Sequence, residues 1–378
     1  MTDSARATAG PLPTASTSEF VVTFAAILIA ILLLLFVDEW LARVDREESR
    51  AHAASLYAEG QQLLAAQKPG EARDRIASAV AIERTNDRYA LGLAEALLAD
   101  DLPTDAQEAL RPVLEHSATD GAANLVMARV LIRVGRTSEA TSFYHRAIYG
   151  QWRGDSLARR MDARFELISL LVRQQARGEL LAELLPIQDA TPDSLALRRK
   201  LGHLFILAGS PARAVEILRK VLQQSPDDGD AYEGMGEAAL ALGNFRTARA
   251  DLAIAARLSP GDTAILSRLA LADTALAIDP TQRGISQRER AARSRRVLAI
   301  ILAFSERCPT AGEASVRALV DSARRLLAAT PAPRHDEESR SEDMVSLSAL
   351  LLPVRPSSCG ADASMAERAV VLLQARLN

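Results

Sequence analysis

The residue types that carry most protein chemistry are sparse in this chain and lack the spacings that chemistry requires. The 378 residues include two cysteines, Cys308 and Cys359, and five histidines. The histidines show no paired spacing typical of a zinc site; they are His52, His116, His145, His203 and His335. The chain also lacks a Ser-His-acid set, an HExxH motif and a phosphate-binding glycine loop. The sequence therefore predicts no enzyme, no metal site and no cofactor.

The composition favours a helical protein that works by contact. Apolar residues make up 48% of the chain and charged residues 25%, which is a globular balance. Only 4% of the residues are aromatic, and the abundant Ala, Leu, Arg and Glu are good helix formers. The 45 basic and 48 acidic residues leave a net charge of −3, so no strong field is available to hold nucleic acid. We therefore expect an all-α fold and a protein partner.

An apolar run near the N-terminus predicts a transmembrane helix. Residues 1–19 are small and polar, and we expect them to form a disordered tail. The run at residues 20–37, from Phe20 to Val37, contains one threonine and no charge. A helix of this length crosses most of a ~30 Å hydrocarbon core. Trp40 follows at a position where an indole ring favours the membrane interface, so these residues are predicted to anchor the chain.

The flanks of the run bear on cleavage and on orientation. A cleaved signal peptide is the alternative to an anchor, but only Arg6 precedes the run and VDEWLARVD follows it, without a small-residue cleavage motif.

For orientation, the positive-inside rule counts Arg43, Arg46 and Arg50 after the run against Arg6 and the amino terminus before it. A short N-terminal tail, however, tends to remain in the cytoplasm. Periplasmic and cytoplasmic placement of the following domain are therefore nearly even.

A 34-residue repeat follows the run. Pro192, Pro226 and Pro260 recur at this step, and each ends a predicted helical stretch. With an insertion at 155–160, the same step predicts units that begin at Ala53, Asp87, Gly121, Met161, Leu195 and Gly229. Small residues recur at two positions of these units, where paired helices would touch: Gly60, Ala94, Ala128, Gly202 and Gly236, then Ala72, Ala106, Ala140, Ala214 and Ala248. In the fourth unit, Ile168 and Leu180 take these places.

The pattern resembles the tetratricopeptide repeat, W-x2-L-G-x2-Y, then A-x3-F, then P. The unit that begins at Gly229 carries it best, with Tyr232, Gly236, Ala239, Ala248, Leu252 and Pro260 at the pattern positions. The resemblance extends from Ala53 to about Asp262, with a decayed seventh unit from Thr263. It implies a membrane-anchored bacterial member of the family. Its helix pairs would stack into a superhelical solenoid, since no pair can bury its apolar face alone.

In proteins that resemble this family, the first helix of each repeat lines a concave groove. Basic side chains stand at outward positions of these helices: Arg129, Arg133, Arg173, Arg199 and His203. Phe165 is a candidate apolar anchor beside them. Guanidinium groups bind carboxylates bidentately, so we interpret this set as a partner-binding site for an acidic segment or a C-terminal carboxylate. The alternative is a set of solvated surface arginines.

The remaining segments complete the predicted organisation. A juxtamembrane helix is expected at 38–52, the solenoid at 53–308, a capping helix at 309–330, a charged linker at 331–361 and a C-terminal helix at 362–378. The spacing of Cys308 and Cys359 does not distinguish a disulfide of an exported domain from two buried thiols.

These features together predict a membrane-anchored scaffold for protein–protein interaction. It would act as an accessory subunit or assembly factor of a membrane complex. The few lysines beside many arginines suggest a GC-rich bacterial genome, so the expected location is a bacterial inner membrane. The alternative function is an adaptor or regulator that recruits a soluble client to the membrane.

Overall fold

The computed structural model describes residues 17–154, 156–190, 194–307, 314–329, 334–353 and 363–377. Within these residues the chain forms seventeen helices and no strand. The chain divides into two compact units, Met1–Leu167 and Ile168–Asn378. The all-α fold predicted from composition is thereby confirmed.

The first unit consists of consecutive helices that are joined by short turns and pack as pairs. The pairs are α1 with α2, α3 with α4 and α5 with α6, and helix α7 continues from this unit into the second. Their bounds are α1 (Thr17–Ala65), α2 (Pro69–Ile82), α3 (Asp87–Ala99), α4 (Pro103–His116), α5 (Gly121–Arg133), α6 (Thr137–Tyr149) and α7 (Ser156–Gln174).

Helix α1 has two parts with different surroundings. Its large apolar side chains between Val22 and Val44 are 43–70% exposed, including those of Val37 and Trp40. The side chain of Phe20 is not among those that the structure describes. Farther along the same helix, Ala53 and Leu56 are buried against α2 and α3. Among the described helices, only α1 is long and apolar enough to cross a membrane, with a mean hydropathy of 2.4 and no burial over the apolar window.

The second unit continues the pairing and then adds four further helices. Its bounds are α8 (Arg177–Ala190), α9 (Leu195–Leu207), α10 (Pro211–Gln224), α11 (Gly229–Ala241), α12 (Phe245–Leu258), α13 (Thr263–Ile278), α14 (Gln287–Arg307), α15 (Ala314–Ala328), α16 (Arg334–Leu351) and α17 (Met365–Leu377). The predicted starts at Leu195 and Gly229 coincide with α9 and α11, as those at Asp87 and Gly121 do with α3 and α5.

A left-handed residue marks the turn inside each of six helix pairs. These residues are Gln67, Asp101, Gly135, Gln175, Gly209 and Gly243, all with φ between 55° and 79°. They recur at the step of the repeat, except that the step from Gly135 to Gln175 is longer, as the insertion at 155–160 requires. Glycine adopts this conformation without steric cost, whereas Gln and Asp adopt it at some cost.

The insertion extends a helix instead of forming a separate loop. The fourth unit was expected to begin at Met161, whereas α7 begins at Ser156. Residues 156–160 read SLARR, and Leu, Ala and Arg are good helix formers, so these residues add a turn to the helix that follows. Asp155 lies outside the described residues.

Polar caps repeat at the start of five helices, α3, α5, α9, α11 and α13. Asn86, Asp120, Ser194, Asp228 and Asp262 accept hydrogen bonds from backbone N–H groups of the first turn. Such caps typically stabilise a helix by about 1 kcal/mol. They were not recognised in the sequence, although a polar residue that recurs at the step of the repeat is a readable pattern.

Small residues hold the paired helices close together. A Cβ added at Gly236 would lie 2.5 Å from Leu252 Cγ, and one at Gly202 would lie 2.6 Å from Leu218 Cγ. At Gly60 the added atom would lie 2.3 Å from Ile76 Cγ1. The two members of each pair have the same separation in sequence, so the same close contact recurs in three repeats.

The last four helices cap the second unit and share one apolar core with α11, α12 and α13. Helix α16 occupies part of the segment expected as a linker at 331–361. Acidic residues in its first turn, Asp336 and Glu337, interact favourably with the helix dipole, and its buried residues Met344 and Leu351 join the core. Cys308 and Cys359 lie outside the described residues.

Candidate functional site

In the first unit, the predicted arginines already have carboxylate partners. Arg129 on α5 donates two hydrogen bonds to Glu166 on α7, with Nε–Oε2 3.0 Å and Nη2–Oε1 2.6 Å. These bonds raise the pKa of Arg129 above its ordinary value. Arg133 donates to Asp101 at 2.6 Å in an exposed pair. Phe165 is half-buried on α7.

In the second unit, two of the three predicted basic residues are also paired. Arg199 on α9 lies 2.9 Å from Asp230 and 3.5 Å from Asp228. His203 Nδ1 lies 3.7 Å from Glu237 Oε2, and this carboxylate raises the pKa of His203 against the opposing effect of burial. Arg173 is exposed on α7.

The pairing partners follow the repeat. Arg268 on α13 pairs with Glu233 and Glu237 on α11, so α9, α11 and α13 present basic, acidic and basic groups in turn. Each of these ion pairs joins groups that lie close to one repeat length apart in sequence. Sequence reasoning missed these carboxylates, which a search one repeat away from each arginine would have found.

A cavity of about 450 Å³ lies in the first unit, between the first helices of its pairs and the segment that follows α6. We refer to residues 150–154 and 156–160 as the connecting segment. The cavity is lined by Tyr57 of α1, by Arg88, Leu91 and Glu95 of α3, by Ala122 of α5 and by Gln151, Trp152, Arg153 and Arg159 of the connecting segment, together with Asp87, Val113 and Asp120.

The connecting segment is held in place by Trp152 and by backbone bonds. The indole N–H of Trp152 donates to the carbonyl of Ala147 at 2.8 Å, and the ring covers Gly121 so closely that a Cβ there would lie 2.3 Å from Nε1. The amide of Gly121 donates to the Gln151 carbonyl, and the amide of Gln151 donates to the Thr119 carbonyl, both at 2.7 Å. The wall of the cavity is therefore anchored at the start of α5.

Aromatic rings and guanidinium groups meet in this cavity. The guanidinium of Arg88 lies 5.0 Å from the ring centroid of Tyr57, and that of Arg159 lies 6.0 Å from the ring of Trp152, both within cation–π range. Burial raises the pKa of Glu95, although the charges of Arg129 and Arg159 oppose this. Across the described ranges, no group of three or more His, Cys, Asp or Glu side chains is placed to hold a metal ion.

Residues 205–272 match the tetratricopeptide repeat family. Over this segment the chain is similar to tetratricopeptide repeats. The matched segment spans the end of α9, the helices α10, α11 and α12, and the first part of α13. This family builds protein–protein interaction scaffolds from stacked helix pairs, which agrees with the predicted fold and general role. Among curated proteins, none matches the sequence.

Several solved structures are similar to this chain. The structure of YrrB, described as a TPR protein with an unusual peptide-binding site, has 17% identity and covers 50% of this chain and 95% of its own, with a TM-score of 0.42. A TPR protein fragment from Cytophaga hutchinsonii has 15% identity, coverage of 64% and 94%, and a TM-score of 0.44. PilW, described as a type IV pilus biogenesis factor, has 20% identity, coverage of 57% and 98%, and a TM-score of 0.40.

Proposed function

We propose that this chain is a membrane-anchored scaffold whose repeats bind a protein partner. In this role it serves as an accessory subunit or assembly factor of a membrane complex in a bacterial inner membrane. The observation that carries the proposal is helix α1, which joins an exposed apolar segment to the first helix of the repeats without a break.

The exposed segment supports an anchor because water is a poor solvent for it. Its large apolar side chains are exposed on every side of the helix, from Val22 to Val44. Each large apolar side chain left in water instead of lipid costs roughly 1.5–3 kcal/mol. A helix with no polar stripe is the kind that a bilayer accommodates.

The predicted basic residues remain the proposed partner contacts of the repeats, together with Phe165. The pair of Arg133 and Asp101 is exposed, and exposed ion pairs contribute only about 0–1 kcal/mol. A carboxylate of the partner can therefore replace Asp101 at little cost. Arg173 is exposed on α7 and available in the same way.

Purification of the tagged full chain from membranes in a mild detergent tests this function. We expect the chain to resist carbonate extraction, to keep its N-terminal residues, and to retain a stoichiometric protein partner that mass spectrometry identifies. An adaptor would instead yield a transient client that is lost as salt is raised. Recovery of a soluble chain whose N-terminus lies near Trp40 would exclude the anchor, and absence of any retained protein would exclude the scaffold.

The contact residues are tested separately in the same preparation. The double variant Arg133→Glu and Arg173→Glu should lose most of the partner, because it reverses two charges that would face the partner's carboxylates. Arg111→Glu is a suitable control, since Arg111 is exposed on α4 and pairs only with Glu108 in the described part of the chain. Full retention of the partner by a helical double variant would place the contact on another surface.

A further inference from the structure

We propose that the cavity beside the connecting segment binds an acidic peptide segment of the partner. The inference rests on the proposed scaffold function and assigns it a site different from the predicted basic set. It follows from the charges, the aromatic rings and the shape of the cavity.

Within the described residues, the arginines of the cavity form no ion pair, while two of its carboxylates are already engaged. Arg88, Arg153 and Arg159 are exposed, and none of them pairs with a carboxylate in the part of the chain that the structure describes. Asp87 binds His116 at 3.0 Å, and Asp120 caps α5 by accepting from the Ala123 amide at 2.9 Å. Three guanidinium groups and one carboxylate, that of Glu95, are therefore left to face a ligand.

Several other arginines of the first helices are, in contrast, satisfied by carboxylates within the described part of the protein. Arg129 is bonded to Glu166, Arg199 to Asp230, and Arg268 to Glu233. In each case a carboxylate on an adjacent helix satisfies the guanidinium. The cavity arginines have no such partner among the described residues, so an external carboxylate is the group that complements them.

Shape and aromatic content favour a peptide over a small anion. The volume of about 450 Å³ falls in the usual range for ligand sites, about 300–1,000 Å³. Apolar surface from Leu91, Val113 and Ala122 and the rings of Tyr57 and Trp152 line it beside the arginines. A segment with both carboxylate and apolar side chains uses all of these groups, whereas an inorganic anion uses only the arginines.

The connecting segment makes this cavity particular to one place in the repeat array. Among consecutive turn residues, only Gly135 and Gln175 are separated by more than one repeat length. The extra residues between them carry Arg159, while the preceding loop carries Trp152 and Arg153. The segment therefore determines which peptide the site accepts.

Peptide binding to the full chain in detergent tests the proposal. The probe is a fluorescein-labelled peptide in which glutamate alternates with phenylalanine and glycine, measured by fluorescence anisotropy. We expect binding that weakens with salt. Affinity should fall at least ~10-fold when Arg88→Gln and Arg153→Gln are combined, since the loss of even one charged hydrogen bond typically costs about that factor. Arg111→Gln on α4 should bind as the unchanged chain does.

Three results would overturn the assignment. They are unchanged affinity in the helical double variant, equal binding of a peptide with glutamine in place of glutamate, and complete displacement of the probe by millimolar inorganic phosphate. Vesicles of phosphatidylglycerol that compete only with the intact cavity would assign the arginines to lipid instead. If the peptide fails to bind while a stoichiometric partner is still recovered from membranes, the scaffold function stands and only this site is wrong.

Discussion

At the scale of single residues, the fold depends on small side chains at helix contacts. Gly236 on α11 leaves no room for a side chain, because Leu252 Cγ lies 2.5 Å from the position of a Cβ and the Ala248 carbonyl oxygen lies 3.3 Å away. We expect Gly236→Leu to lower the free energy of unfolding by about 1–3 kcal/mol, the usual cost of overpacking. Thermal unfolding followed by circular dichroism measures this.

Gly178 provides the matched control for Gly236. It lies in the first turn of α8, and a Cβ there would meet nothing within 4 Å. Gly178→Leu should therefore leave stability unchanged or raise it slightly, because leucine favours a helix more than glycine does. A similar loss for both variants would mean that the contact between Gly236 and Leu252 is not a tight one.

The residue scale also shows what the sequence reveals about the candidate site. The 34-residue spacing allowed the basic residues to be placed on the first helices from the sequence alone, because residue type and spacing are local properties. Their ion pairs were missed, since each partner, such as Glu166 for Arg129, lies about one repeat away in sequence and on another helix. The cavity was missed for the same reason: Trp152 and Arg153 follow α6 in sequence, and only the folded loop places them beside Tyr57.

At the scale of helices, a charged contact of Arg376 helps to join α17 to the repeats. Arg376 lies 2.9 Å from the carboxylate of Asp279, which is fully buried at the end of α13. Removal of one partner of a buried ion pair lowers the free energy of unfolding by about 3–5 kcal/mol. Because the Arg376 side chain is 31% exposed, we expect the loss in Arg376→Gln to lie at or below the low end of this range.

Hydrogen exchange measured by mass spectrometry tests this local effect. Amides of α17 and of the end of α13 should exchange faster in Arg376→Gln, whereas helices of the first unit should not change. Arg368→Gln on the same helix is the control, since Arg368 is exposed. Unchanged exchange of α17 in the Arg376 variant would show that apolar packing alone holds this helix.

Helix boundaries show where prediction from the sequence succeeds and where it stops. The starts of α3, α5, α9 and α11 follow from the repeat, because each pair must bury the same face against its neighbours. The charged run before Met344 gave no such periodicity, so helix α16 was not expected. Its apolar C-terminal half supplies the burial that stabilises the whole helix, a tertiary contribution that local charge does not reveal.

At the scale of the whole molecule, the apolar segment and the repeats are separable. The buried core of the first unit uses α1 only from Ala53 onward, whereas side chains before it are mostly exposed. We therefore expect a chain that lacks residues 1–41 to leave the membrane fraction. Its repeats should melt at the temperature of the full chain. Fractionation and circular dichroism measure both, and a truncated chain that stays in membranes would place the attachment in the repeats.

The unbroken course of α1 between Val37 and Ala53 has a mechanical consequence in the proposed anchored state. This stretch of helix forms a spacer of about 24 Å, and each residue also contributes a rotation of about 100°. The membrane segment thus sets both the height of the first repeat and the direction in which its binding face points. One residue inserted in this spacer would rotate that face by about 100° about the helix axis. Four inserted residues would return the face to within about 40° of its original direction and move it about 6 Å farther from the membrane. The length of the spacer therefore fixes how far from the membrane a bound partner is held, and its helical rotation fixes the side from which that partner is reached.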